Sequence, residues 1–183
     1  MQYKLTDSVF FFIIYGFGGC LLESLYGTFV SKAATLRGGF LTNYFCPLYG
    51  LCGVLIIQIF TLTEISMNNR FNSLFLATIG SIIAVTFLEY IAGLSLDKFF
   101  HHKMWDYSYS PFNLQSYVCL DFSLLWGIVA LILTSVIHPL LEIIVLALPE
   151  KIKYSSIVFT ASILFVNAFY NLRMFYHIPT LRL

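Results

Sequence analysis

The chain has 183 residues, 59% of them hydrophobic and 10% charged, with mean hydropathy +0.84 and a formal net charge of +1. Soluble domains carry about 25% charged residues, so a water-facing surface would stay largely uncovered here, and the surrounding solvent must be lipid. The near-neutral balance and the lack of a basic run exclude polyanion or nucleic-acid binding by electrostatics, and one membrane domain over residues 1–183 is expected.

The first apolar segment covers residues 8–30. Lys4 is the only basic residue before it, Asp7 follows, and Glu23 interrupts where a cleavage site would fall. The segment therefore reads as a retained span and not as a signal peptide. Within it Gly16, Gly19, Glu23 and Gly27 recur at spacings of three and four, one helical stripe of small residues plus an acid. Small residues let helices approach closely, so this stripe faces neighbours.

Residues 31–43 form a loop with Lys32, Arg37 and the pair Gly38-Gly39. Arg37 suits a carboxylate or phosphate held through two parallel hydrogen bonds, against the ordinary reading of an arginine stretched to the interface. The second span, residues 44–63, opens with Cys46-Pro47-Leu48-Tyr49-Gly50. Pro47 suits a first helical turn, and Tyr49 is placed to reach a polar site. A short polar turn at 64–71 leads to the third span, residues 72–96, where Thr86, Glu89, Gly93 and Asp97 form a second acidic stripe.

The loop at 97–116 is the longest and most aromatic, with Trp105, Asp106, Tyr107, Tyr109, Phe112 and Asn113. An interfacial aromatic belt is one reading; a lid over a polar site, with Asp106 and Asn113 as its polar groups, is the other. Asp121 lies just inside the fourth span, residues 117–137. After His138-Pro139, residues 140–148 are apolar again. Either the fourth helix kinks at the proline and continues, or 140–148 is a short interfacial helix; it is too short for a sixth crossing. The last span, residues 155–176, carries Asn167, Asn171 and Arg173. The fold class is all-α, a polytopic membrane bundle of about five transmembrane helices.

On an alternating five-span frame, Glu23, Glu89, Asp121 and Arg173 reach the half of the bilayer beside the loops at 31–43 and 97–116. A charge at the bilayer centre costs about 2.5–3.5 kcal/mol on insertion scales. Shared depth lets such groups be paired or hydrated together. The candidate ligand-binding residues are Glu23, Arg37, Tyr49, Glu89, Trp105, Asp106, Asn113 and Asp121. The plain alternative makes the carboxylates hydrogen-bonded glue between helices.

Other chemistries are weakly signalled. Adjacent His101 and His102, with Asp97 and Asp106, make a poor metal set because neighbours do not share a helix face, and no metal site is assigned. Cys20, Cys46, Cys52 and Cys119 form no C-x-x-C pair and read as small hydrophobes. The chain has no G-x-x-x-x-G-K-[ST] loop, H-E-x-x-H or G-x-S-x-G. With Arg37 and the membrane-embedded Arg173 set aside, Lys4, Arg70, Lys151 and Lys153 on one side balance Lys32, Lys98, Lys103 and Arg182 on the other, so orientation is open.

Several motifs occur in a distinctive order: Gly-x-x-x-Glu-x-x-Tyr (19–26), Arg-Gly-Gly-Phe-Leu (37–41), Cys-Pro-Leu-Tyr-Gly (46–50), Leu-Glu-Tyr (88–90), Trp-Asp-Tyr-Ser (105–108), Phe-Asn (112–113) and Cys-Leu-x-Phe-Ser-x-x-Trp-Gly (119–127). This set resembles the putative type IV ABC-transporter permease family, to which the transmembrane 229 proteins look related. The resemblance implies a permease-like membrane protein. Where family members often have a Gly-Arg pair before the Cys-Leu motif, this chain has Ser116-Tyr117-Val118. That basic arm is missing.

Three functions remain open at this point. The leading one is binding or transport of a small or amphipathic solute in an integral membrane, expected to be the plasma membrane. Five spans without an internal repeat make a thin alternating-access machine. A homo-oligomer or a separate energising subunit is therefore expected beside the chain, along with membrane lipids. The second is an intramembrane enzyme acting on a lipid or isoprenoid, with carboxylates and an arginine for acid–base chemistry. The third is a non-catalytic assembly subunit of a membrane complex.

Overall fold

The structure is a computed structural model that describes the backbone of residues 3–31, 44–101 and 103–177. Among these residues the order is α1 (Leu5–Ser31), α2 (Pro47–Ser66), α3 (Arg70–Phe100), a hairpin of β1 (Asn113–Leu114) and β2 (Val118–Cys119), α4 (Leu120–Ile132), a π-helical turn (Leu133–Ile137), α5 (His138–Ala147) and α6 (Glu150–His177). Helices dominate because hydrocarbon offers backbone groups no other partners. Five segments are long and apolar enough to cross a membrane: Leu5–Leu25, Pro47–Ser66, Arg70–Phe100, Leu120–Ala147 and Glu150–Arg173. The all-α reading with five spans holds.

Most boundaries shift by a few residues, α6 by five at its start (Glu150 against the expected 155), and two of the differences have a clear local cause. Helix α3 runs four residues past the expected end at 96, because His101 adopts a left-handed cap (φ 50) and returns its N–H to Asp97 O at 3.0 Å. Asp97 thus sits in the last helical turn. At the other end Asn69 caps the helix by accepting the Phe71 N–H at 2.9 Å. The fourth span also continues: α4, the π-turn and α5 form one segment, Leu120–Ala147. Pro139 lacks an N–H and its ring crowds the preceding turn; the wider π-turn absorbs both, and His138 N–H bonds Leu133 O instead.

The chain divides into two compact units. The first is Cys52–Ile144. Its α3 buries Ser73, Ala77, Ser81, Val85, Glu89 and Gly93, every fourth residue along one ridge. Against it α4 sets Ser123, Gly127 and Ala130. A Cβ on Gly127 would lie 2.7 Å from Ile82 Cδ1, so the absent side chain leaves the space that Ile82 of α3 fills. Cys52, Ile56, Ile57 and Phe60 of α2 are also buried.

The second unit joins Gln2–Leu51 to Val145–Leu183. Gly16 lies against the Phe45 ring and Gly19 under Tyr49, while Gly50 approaches the Phe12 carbonyl oxygen. The first half of the small-residue stripe in α1 therefore receives the chain entering α2. At the starts of α1 and α6, Lys153 Nζ meets Asp7 Oδ1 at 2.5 Å, with side chains only 3% and 4% exposed. Glu150 Oε1 lies 3.2 Å from Lys153 Nζ and 3.1 Å from Lys4 Nζ, and the Thr6 hydroxyl donates to Glu150 Oε2 at 3.1 Å. Both helices start at one membrane face. Their shared direction requires an odd number of crossings between them, which fits the three spans Pro47–Ser66, Arg70–Phe100 and Leu120–Ala147, the last counted as a single crossing.

Lys153→Met should destabilise the protein by about 3–5 kcal/mol because it leaves a buried carboxylate unpaired, and Asp7→Asn in the same chain should recover much of that. Thermal unfolding in detergent reads both. Gly50→Ala should cost about 1–3 kcal/mol, since its Cβ would meet the Phe12 carbonyl at 2.6 Å. Gly18→Ala, with nothing within 4 Å, should be neutral or gain up to about 1 kcal/mol.

Candidate functional site

Glu89 is the buried acid of unit Cys52–Ile144, 8% exposed on the small-residue ridge of α3. Its Oε1 accepts the Tyr107 hydroxyl at 3.3 Å, and the Trp126 indole of α4 also acts on this carboxyl. Its Oε2 is buried with no hydrogen-bond partner among the described residues. Ser81 Oγ and Thr86 Oγ1, on the same helix, are orphaned in the same way. Eight residues of helix put these atoms along about 12 Å of depth. A buried acceptor without a donor costs about 1–3 kcal/mol, more if charged. Such groups recur where a ligand, ion or water completes them.

Tyr107 reaches Glu89 because the loop at 101–119 is folded. Register pairs Asn113 with Cys119 and Leu114 with Val118. Between the strands Gln115 (φ 52) and Ser116 (φ 63) are both left-handed, and Tyr117 N–H bonds Leu114 O at 3.1 Å. The register leaves residues 115–117 as a three-residue loop, and its two left-handed positions are filled without glycine. Left-handed residues with a Cβ cost of order 1–3 kcal/mol each and persist only where surroundings hold them. The surroundings do so: Tyr107 N–H bonds Ser116 O at 2.9 Å, Trp105 Nε1 donates to Tyr117 O at 2.7 Å, and Tyr90 donates to Gln115 Oε1 at 3.0 Å. The Tyr117 hydroxyl donates to Asp97 Oδ2 at 2.6 Å, Lys103 Nζ lies 5.6 Å from the Tyr117 ring centre, and a Cβ on Gly93 would crowd Tyr117 at 3.1 Å. The loop is bolted to the last turns of α3. Tyr107 then stacks on Phe122, ring centres 4.8 Å apart.

The remaining expected site residues take several places. Trp105 is half-buried in the bolt just described. Asp106 is exposed and accepts the Ser108 N–H at 2.8 Å, a bond that holds its carboxyl below the usual range. Asn113 is exposed; it donates to Ser110 O at 2.9 Å and accepts the Ser116 N–H at 3.2 Å. Both side chains shape turns of the loop. Asp121 is exposed in the first turn of α4, where the helix dipole favours an acid.

In the other unit Glu23 is half-buried within electrostatic reach of Cys46 and Cys20. The Cys46 N–H bonds Gly16 O at 3.1 Å. Burial pushes its thiol up to about 11, with the Glu23 charge adding to the rise. Tyr49 is half-buried on Gly19. Glu23, Cys46 and Tyr49 are thus neighbours in sequence-distant parts of one unit, whereas Glu89 belongs to the other. Arg37 lies outside the described residues. Among those described, no three His, Cys, Asp or Glu side chains group as metal ligands. Arg173 is exposed, and Asn171 donates to Asn167 at 3.3 Å.

Two contributors were not among the expected site residues, Tyr107 and Trp126. Both sit inside motifs with a signal: Tyr107 follows Trp105-Asp106, and Trp126 lies five residues after Asp121. A tyrosine or indole beside a membrane-depth acid is a donor with an apolar body.

A family model described as Putative ABC-transporter type IV matches residues 10–172 of the chain. No curated protein and no solved structure matches it.

The hydrogen bond to Asp97 raises the Tyr117 phenol above its ordinary value of 10.0. This bond therefore stabilises the loop fully below about pH 10 and is lost as pH rises through the folded-state value. Ultraviolet titration should show one late-ionising tyrosine in the wild type, and Asp97→Asn should bring it down. Ser116→Gly should leave stability unchanged or raise it by about 1 kcal/mol in thermal unfolding, because relieved strain is partly offset by a looser unfolded chain.

Proposed function

The chain belongs to the Putative ABC-transporter type IV family, and from that membership we propose that it is a permease-like subunit that binds a small or amphipathic solute at Glu89 and passes it across the membrane. The observation that supports this reading is the buried Glu89 Oε2 without a donor, beneath a loop that holds Tyr107 on the companion oxygen. An intramembrane ionisable group is a functional candidate by default, and a half-satisfied one is a stronger candidate than a paired one. A solute that brings a donor to Oε2 completes the site, and its departure restores the orphan. In this reading Trp105 keeps the loop seated, and the exposed carboxylates Asp106 and Asp121 meet the solute first. Glu23, with Cys46 and Tyr49, is a second polar station in its own unit.

The energy source is proposed to be separate. The chain has no P-loop of its own, and an ABC-type permease works beside an ATPase subunit. The plasma membrane is the proposed location.

The test compares solute accumulation in cells expressing wild type, Glu89→Gln, and Glu23→Gln with Glu89→Gln, by mass spectrometry of a panel of amines, amino acids, alcohols and short-chain acids. At least one solute should accumulate with the wild type and fall at least about tenfold with Glu89→Gln at equal membrane abundance, since a hydrogen bond to a charged group is worth about 1.5–3 kcal/mol. Tyr107→Phe should reduce the rate by about fivefold, one ordinary net hydrogen bond. Wild-type accumulation by a well-inserted double variant ends the assignment.

A further inference from the structure

The surroundings of Glu89 also bear on which solutes it takes. The carboxyl has one oxygen with a hydroxyl donor and one with none. No basic side chain pairs with it among the described residues: the ion pairs formed there gather at Lys4 and Lys153 in the other unit. Lys103, in the loop that carries Tyr107, lies over the Tyr117 ring. What flanks the carboxyl is aromatic. Tyr107 and Trp126 both act on it, and Phe122 backs Tyr107 at 4.8 Å.

We propose that the Glu89 site selects a small organic cation, an ammonium group on a compact apolar body; this rests on the reading of Glu89 as the solute site. An ammonium supplies what the site lacks, N–H donors for Oε2 and a charge opposite to the carboxylate. Aromatic faces attract the same cation through their quadrupoles and accept its apolar body, most strongly where water is excluded. An anion would add like charge at membrane depth with no basic group to receive it. A neutral alcohol could donate to Oε2 but would forgo the charge.

The chain reports on this site by itself. Its two tryptophans are Trp105 in the loop and Trp126 beside the carboxyl, so intrinsic tryptophan emission comes from this unit alone. The experiment titrates the full chain in detergent at neutral pH with three ligands sharing one body: benzylammonium, benzyl alcohol and benzoate. Benzylammonium should change the emission saturably, at concentrations roughly tenfold to a hundredfold below those benzyl alcohol needs, and benzoate should have no saturable effect. Glu89→Gln should bring benzylammonium to the level of the alcohol. The charge series in wild-type protein needs no variant, so a poorly folding Glu89→Gln leaves the test intact. Equal affinity for alcohol and cation, or tighter binding of benzoate, overturns the cation selectivity while leaving Glu89 as a solute site if the binding is saturable. Unchanged cation affinity in folded Glu89→Gln, or no saturable binding of any of the three, overturns the proposal outright. The accumulation assay above judges the transport reading separately.

Discussion

A carboxyl group carried into hydrocarbon must find donors or remain a standing cost, and at Glu89 the fold satisfies one oxygen and leaves the other bare. Much of unit Cys52–Ile144 is arranged around that condition. The ridge of α3 that packs on α4 is small at Ser73, Ala77, Ser81 and Gly93, and Glu89 is the one acid among its buried positions. The aromatic loop spends backbone strain at Gln115 and Ser116 to fold back over the helix, and hydrogen bonds from Trp105, Tyr90 and Tyr117 offset that strain. Only because the loop is held does Tyr107 arrive at the carboxyl.

The other unit shows what a fully structural charge looks like. Asp7 and Lys153 are as buried as Glu89, yet they meet each other directly, with Glu150 as a second acceptor for the ammonium. Their consequence is topological: the pair ties the starts of α1 and α6 together and so makes the number of crossings between them odd. The two acids are similar in burial and opposite in meaning, and satisfaction of hydrogen bonds is what separates them.

For a protein of an ABC-transporter-type family, a bare acceptor beneath a strained aromatic loop has a natural use. Under the proposed function, binding energy would come from completing the carboxyl, and the loop, seated by a few hydrogen bonds, would be the element whose position a ligand biases. The proposed function takes the energy for directional movement from a separate subunit, and the chain carries no G-x-x-x-x-G-K-[ST] loop.

The amino-acid sequence alone determined the membrane class, the five apolar spans and the close approach at Gly16 and Gly19 of α1. These are local properties, written in hydropathy and helical spacing along a few consecutive turns. Tertiary structure decided the partners. Tyr107 lies 18 residues from Glu89 and Lys153 lies 146 from Asp7, and no periodicity links such positions. The same holds for Asp106 and Asn113, whose composition suggested a lid's polar lining but whose hydrogen bonds close turns in the loop's own backbone. It holds also for Pro139, where only the geometry of the preceding turn determines whether a helix stops or widens and runs on. Spacing along a chain states which groups share a face; which group satisfies which depends on how the backbone between them turns.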